Sequence, residues 1–256
     1  MQRTRSWLLL AIVAIVLSVA LTSLREQRAQ QTLVIGIDPT FPPFASRQAD
    51  GQIVGFEIDL AEGLAKRLNC RIELREIPFR DLLTSLRDGL VNLVISGMPI
   101  RQDREVLVDF TEPYYDATQV AVISATDKRC VESPEDLTGW RMAVQFGTTG
   151  EFEALALKGT DLDPKLLRME QVADMFAALE SGDAEVVLVD RQLAERYIAD
   201  NPAFRMVRMT FWEEKYAVAV QKGQAELLER VNTALIRWLT SPAYEEALRC
   251  WFSSEE

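Results

Sequence analysis

The chain has 256 residues, 48% hydrophobic and 26% charged, a balance that supports a buried core in one large or two small domains. Its net charge of −11 is spread along the chain rather than run into a tail. That excludes nucleic acid and anionic membrane surfaces, both of which need clustered Lys and Arg. There is no histidine, so Ser-His and Cys-His nucleophile pairs, His proton relays and His-ligated metals are excluded together.

Arg3 and Arg5 precede an apolar run over residues 7–21. A basic stretch before an apolar one is an export signal, and this run lies between the length of a signal and that of a spanning helix. Residues 1–24 therefore read as a signal peptide or an uncleaved N-terminal membrane anchor, with 25–31 as a linker. Either way the remainder lies outside the cytoplasm, in the periplasm, soluble or tethered.

From Thr32 onward short apolar runs alternate with helical patterns, the mark of α/β layers with mostly parallel strands. Residues 33–37 read as a strand. Phe56, Leu60, Leu64 and Leu68 recur at helical spacing. Strand 72–77, helix 81–87 and buried strand 93–96 follow. A second series begins after Ala125: strand 142–146, helix 150–157, strand 166–169, helix 172–180 and strand 186–189. The C-terminus is helical over 225–239 and 242–251. Leu86-Arg87-Asp88-Gly89 before one buried strand echoes Leu179-Glu180-Ser181-Gly182 before another, each helix stopping at a Gly suited to the left-handed C′ position. The apolar stretches 119–124 and 204–209 read as two crossings. Lobe 1 is then 32–121 plus 210–256, and lobe 2 is 122–209. Ligands sit beyond the carboxyl ends of strands in open α/β sheets, so two facing sheets make a cleft.

The loops after strands carry the chemistry. Gly147-Thr148-Thr149-Gly150-Glu151 opens a helix, either as an anion site of hydroxyls and free N–H groups or as a plain Thr N-cap. Ser96-Gly97-Met98-Pro99 lets backbone approach a ligand, and Arg101 and Arg104 follow with forks matched to a carboxylate. The acidic stretch Asp103, Glu105 and Asp109 offers Arg104 a local ion pair instead. Asp190 ends a buried strand, either to hold a ligand ammonium or to cap the next helix. Asp38-Pro39-Thr40-Phe41-Pro42-Pro43-Phe44 is a proline-stiffened loop in which Phe41 walls a ligand side chain and Phe44 belongs to the core. An anion site, an arginine fork, a carboxylate and an apolar wall on one cleft complement a zwitterion. The three cysteines, Cys70, Cys130 and Cys250, have no metal or redox spacing. In an exported protein Cys130 with Cys250 is the favoured pair, and free buried thiols are the alternative.

These motifs, with Gly55-Phe56-Glu57-Ile58-Asp59-Leu60-Ala61, Asp109-Phe110-Thr111-Glu112-Pro113-Tyr114-Tyr115 and Asp136-Leu137-Thr138-Gly139, resemble the extracytoplasmic solute-binding proteins for polar amino acids, the periplasmic components of ABC importers. The resemblance runs over about 33–252. It implies two lobes joined by crossover strands and closing on a small ligand, with an ABC permease as partner, a monomer, and no cofactor, metal or catalysis. It further implies that Arg104 and the Gly147 to Thr149 backbone hold an α-carboxylate and Asp190 the α-ammonium. Phe41 and Phe79 flank the side chain, with Asp38 near its tip. Three positions depart from the family pattern: Pro99 replaces a Ser or Thr and removes an N–H donor, Arg101 replaces a Thr, and Asn92 replaces an Asp. Two alternatives stand beside import, a membrane-tethered sensory module and a dehydratase-like enzyme on the same fold.

Overall fold

The computed structural model describes residues 32–208 and 211–252; residues 1–24, read above as a signal peptide or anchor, lie outside them. Among the described residues no helix is long and apolar enough to cross a membrane.

The chain forms a two-lobed α/β protein. β1 (Thr32–Ile37) pairs in parallel with β5 (Arg71–Glu76) on one side and with β6 (Leu93–Val94) on the other. Between them run a small sheet of β2 (Thr40–Phe41), β3 (Ala45–Arg47) and β4 (Ile53–Val54), then α1 (Phe56–Leu68) and α2 (Leu82–Arg87). In the second half β8 (Met142–Gln145) pairs in parallel with β9 (Leu166–Met169) and β10 (Val186–Asp190). Here α4 (Thr149–Lys158), α5 (Val172–Ser181) and α6 (Arg191–Asp200) connect the strands, and the short α3 (Gln102–Glu105) precedes the crossing. α7 (Ala225–Leu239) and α8 (Pro242–Phe252) close the chain against α1. α2 and α5 each run out shortly before Gly89 (φ +73°) and Gly182 (φ +81°), the left-handed positions the sequence marks for glycine.

What joins the halves is longer than the apolar stretches suggest. β7 (Val108–Ser124) runs 17 residues. It pairs antiparallel with β12 (Trp212–Gln221) from Gln119↔Trp212 to Val108↔Gln221, and beyond Gln119 with β10 and β11 (Phe204–Met206). The sheet order is therefore β5-β1-β6-β12-β7-β10-β8-β9, with β11 also on β7. Buried and more exposed positions interleave along the 108–118 half of β7, so it lacks the continuous apolar run by which residues 119–124 announce themselves. The first half of β12 is interrupted by charged residues in the same way. Each half packs around a core of its own. Ile35, Phe56, Leu60, Leu64, Leu93, Val218, Leu235 and Trp238 gather in one, and Val120, Met175, Phe176, Val187 and Leu193 in the other.

The disulfide expectation is corrected. Cys130 and Cys250 are free and exposed, and Cys70 is free and half-buried. Cys130 follows β7 in the segment that Arg129 ties to Asp127 and Glu185, whereas Cys250 lies on α8 beside Glu246. The two are held on different elements of opposite halves.

Candidate functional site

The carboxyl ends of β1, β8 and β10 converge on one cavity, as open α/β sheets lead one to expect. Of the twelve site residues expected from sequence, Asp38, Phe41, Phe79, Gly97, Thr148, Thr149 and Asp190 line it, and Ser96, Met98, Arg101, Arg104 and Gly147 do not.

Asp38 leaves the end of β1 with its carboxylate bonded to local donors. Oδ1 accepts from the Thr40 N–H (3.2 Å) and hydroxyl (2.7 Å), and Oδ2 accepts from the Phe79 N–H at 2.9 Å. The Gln145 amide reaches Oδ2 from the other half of the molecule at 3.5 Å. Burial raises the Asp38 pKa, the Thr40 and Phe79 donors oppose it, and Glu76 adds to the rise. Ser96 serves as an anchor, its hydroxyl accepting the Asp38 N–H at 2.9 Å.

Gly97 has φ +51°, and a Cβ there would lie 2.9 Å from Phe41 Cε1, so only glycine lets that ring close down on the loop. Its N–H points to a buried carboxylate. It donates to Glu57 Oε1 at 2.5 Å, an oxygen that also takes the Tyr114 hydroxyl at 2.5 Å. Glu57 is fully buried, and burial pushes its pKa up to about 7 against those two donors. Met98 packs into the core with Leu82, Leu86 and Val108.

Arg104 is 4% exposed and does not form the local ion pair. Asp103 pairs with Arg101 and Asp109 with Lys222, so these two local acids are engaged elsewhere. Arg104 instead donates to Met98 Sδ (2.9 Å), the Pro99 carbonyl (3.4 Å) and the Gly147 carbonyl (2.9 Å), with Phe79 under its guanidinium. Desolvation and the nearby Arg101 charge lower its pKa to about 10. The bond to Gly147 joins the two halves across the cleft, where Gly147 (φ +84°) sits so close that a Cβ would fall 2.9 Å from Arg80 Cα. Arg101 lies at the mouth, over the Phe152 ring and 3.5 Å from the Thr149 hydroxyl.

At the start of α4 Thr148 caps the helix. Thr148 Oγ1 accepts the Glu151 N–H (3.3 Å) and donates to the Gln145 carbonyl (2.8 Å), while the Gly147 N–H donates to Glu151 Oε2 (2.7 Å). At Asp190 the capping role is likewise filled, and the carboxylate still reaches the cavity. Oδ1 caps α6 through the Gln192 N–H (3.0 Å), and Oδ2 accepts the Tyr216 hydroxyl (2.7 Å). Burial lifts its pKa to about 7, with Tyr216 and Gln192 opposing and Glu214 and Glu195 adding to the rise.

Among the wall residues that sequence reasoning missed are four polar ones: Gln119 on β7, Gln145 on β8, and Glu214 and Tyr216 on β12. Glu214 Oε2 accepts the Gln119 amide at 3.2 Å, and Oε1 makes no hydrogen bond. Burial raises its pKa, partly offset by the Thr149 and Gln119 side chains and by Arg104 and Arg101. The signal was present: Glu214 is buried between exposed Glu213 and Lys215, so period-two alternation counted back from the buried run at 216–220 turns it inward. Among the described residues, the finished wall carries three carboxylates, Asp38, Asp190 and Glu214, and neither Lys nor Arg.

The family model for bacterial extracellular solute-binding proteins, family 3, matches residues 33–254. Among curated proteins the chain is 34% identical to a probable histidine-binding protein of Neisseria gonorrhoeae, over 84% of this chain and 81% of that one. It is 29% identical to the arginine-binding extracellular protein ArtP of Bacillus subtilis, over 98% of this chain and 100% of that one. Among solved structures, an ancestral arginine-binding protein bound to arginine superposes with a TM-score of 0.82 at 34% identity, covering 88% of this chain and 100% of that one. The arginine-, lysine-, histidine-binding protein ArtJ of Geobacillus stearothermophilus gives 0.81 at 31%, covering 88% and 97%.

Proposed function

This chain belongs to the bacterial extracellular solute-binding proteins of family 3, and on that premise we propose that it captures a cationic, amino-acid-like solute between its lobes and delivers it to the membrane permease of an ABC importer. One observation carries the choice of a cation: among the described residues, three buried carboxylates and no basic side chain line the cavity. Buried charge is stable only when paired, and a ligand cation supplies the pair. The names of the relatives, binders of arginine, lysine or histidine, support the same class.

In this reading Asp190 holds the ammonium, Asp38 the far end, and Phe41 and Phe79 flank the aliphatic part. The lobes are 32–121 with 210–256, and 122–209, and they close about β7 and β12. Arg104 acts from behind the wall, fixing Gly147 when the cleft is shut. The protein is a monomeric carrier in the periplasm, free or tethered, and it binds without transforming its ligand; the relatives named above are binding proteins.

A thermal-shift screen of ligand-free protein against the amino acids, small amines and dicarboxylates tests this. A ligand at about a thousand times its dissociation constant stabilises by about 4 kcal/mol, a rise of about 8–16 °C for a protein of this size. Cationic compounds are expected to give the shift. A shift confined to dicarboxylates or neutral amino acids, or none at all, overturns the proposal.

A further inference from the structure

We propose, resting on the solute-binding reading above, that Glu214 is a built-in competitor for the ligand's carboxylate. Its own carboxylate stands at the anion-binding end of the cleft and gives way when an amino acid binds.

The three wall carboxylates differ in their surroundings. The charged groups that act most on Asp38 and Asp190 are acids, Glu76 on the first and Glu214 and Glu195 on the second. Glu214 has cations beside it. The Thr149 hydroxyl and the Gln119 amide bond to it, and the charges of Arg104 and Arg101 oppose the upward pull of burial on its pKa. The influence is mutual, since Glu214 raises the pKa of Arg104. Thr149, Arg101 and Arg104 are groups from which the sequence builds a carboxylate site, and the carboxylate they act on here belongs to the protein.

The placement puts Glu214 in the path of a ligand. It sits on β12 opposite Ala117 and is 9% exposed. It lines the inner cavity and also a wider chamber outside it, which Arg101, Phe152 and Trp212 border. Only Pro99, Thr149 and Glu214 line both, so they form the neck between the two. Pro99 has no N–H to give, and Thr149 is engaged by Glu214. A ligand carboxylate reaching this neck meets a like charge already seated there, and two carboxylates at one site do not both stay charged.

The seat is incomplete, which makes it displaceable. Oε2 accepts the Gln119 amide at 3.2 Å, but Oε1 makes no hydrogen bond. A buried oxygen left unbonded costs free energy, so the folded protein holds this carboxylate less firmly than a full set of donors would. Apparent affinity falls with the fraction of time a site is open. A competitor that leaves it open about one-tenth of the time weakens binding tenfold.

Isothermal titration of the ligand-free full chain and of Glu214→Gln reads the effect. The probes are arginine, lysine, histidine and glutamine, with agmatine and cadaverine as matched amines that lack the carboxylate. Glu214→Gln is expected to bind the amino acid that the parent prefers ten or more times tighter, with no tightening of the amines. Unchanged or weaker binding of that amino acid by the variant overturns the inference, as does equal tightening of the amines. Binding of glutamine but of no cationic amino acid overturns the choice of a cation alone, because glutamine then carries the comparison. Binding of no amino acid by either protein overturns both. If the variant does not fold, a crystal structure of the parent with its preferred amino acid decides. The ligand carboxylate is expected at Thr149 with the Glu214 carboxylate displaced from it, and Glu214 still bonded to Thr149 overturns the inference.

Discussion

Asp190→Asn tests whether the cleft is built at the expense of stability. The Asp190 carboxyl has its pKa raised from an ordinary 3.8 to about 7, with burial as the largest cause. The folded protein therefore holds that proton more tightly than the unfolded chain does. Its contribution is present in full below about pH 4 and is lost as pH rises through 7. About three pH units at 1.36 kcal/mol each amount to a loss of about 4 kcal/mol between pH 4 and pH 8. Asparagine keeps the cap on Gln192 through Oδ1 but offers Tyr216 a donor where it had an acceptor, at a cost of about 1 kcal/mol at any pH. At pH 5 roughly one of those units has already been lost, so the variant is expected to be close to the parent in stability there. At pH 8 it is expected to be roughly 3 kcal/mol more stable. Glu57, which titrates in the same range, is common to both proteins and cancels. Thermal and urea unfolding of the ligand-free pair at the two pH values reads the difference directly. A variant-minus-parent stability that does not change between pH 5 and pH 8 refutes the argument.

Gly63→Ala drives a Cβ into the Trp238 ring at Cδ1, where α1 packs on α7, and is expected to cost about 1–3 kcal/mol by overpacking; an unchanged urea midpoint contradicts it. Arg104→Ala leaves the Gly147 carbonyl without its donor across the cleft and is expected to lower stability by about 2 kcal/mol or more, whereas a loss under about 0.5 kcal/mol would make the bond incidental. Tyr114→Phe removes a hydroxyl from the buried Glu57 carboxyl and should cost about 1–3 kcal/mol. Urea unfolding should show the larger loss at pH 8 rather than pH 5, because Glu57 with its pKa of about 7 is charged mainly at the higher value. Thiol alkylation of native, unreduced protein is expected to label Cys130 and Cys250 quickly and Cys70 slowly; a mass short of two hydrogens would restore the disulfide.

The sequence by itself determined the elements whose signal is local. The helical spacing of Phe56, Leu60, Leu64 and Leu68 gave α1 its bounds, and Gly182 in the left-handed region ended α5 where the pattern stopped. Site residues that end a strand, Asp38 and Asp190, were legible because a buried apolar run followed by an acid marks the mouth of an α/β cleft. The partners of the loop donors were not legible. The Gly97 N–H and Arg104 find their partners in Glu57 and Gly147, 40 and 43 residues away, and no local pattern encodes such pairings. Only the tertiary structure decided that β7 and β12 run side by side. That pairing carries Gln119, Glu214 and Tyr216 to the cavity and adds a third carboxylate to its wall. Periodicity fixes which way a side chain faces within its own strand, but the strand it lies beside is chosen by long-range packing, and the charge of the site follows from that choice.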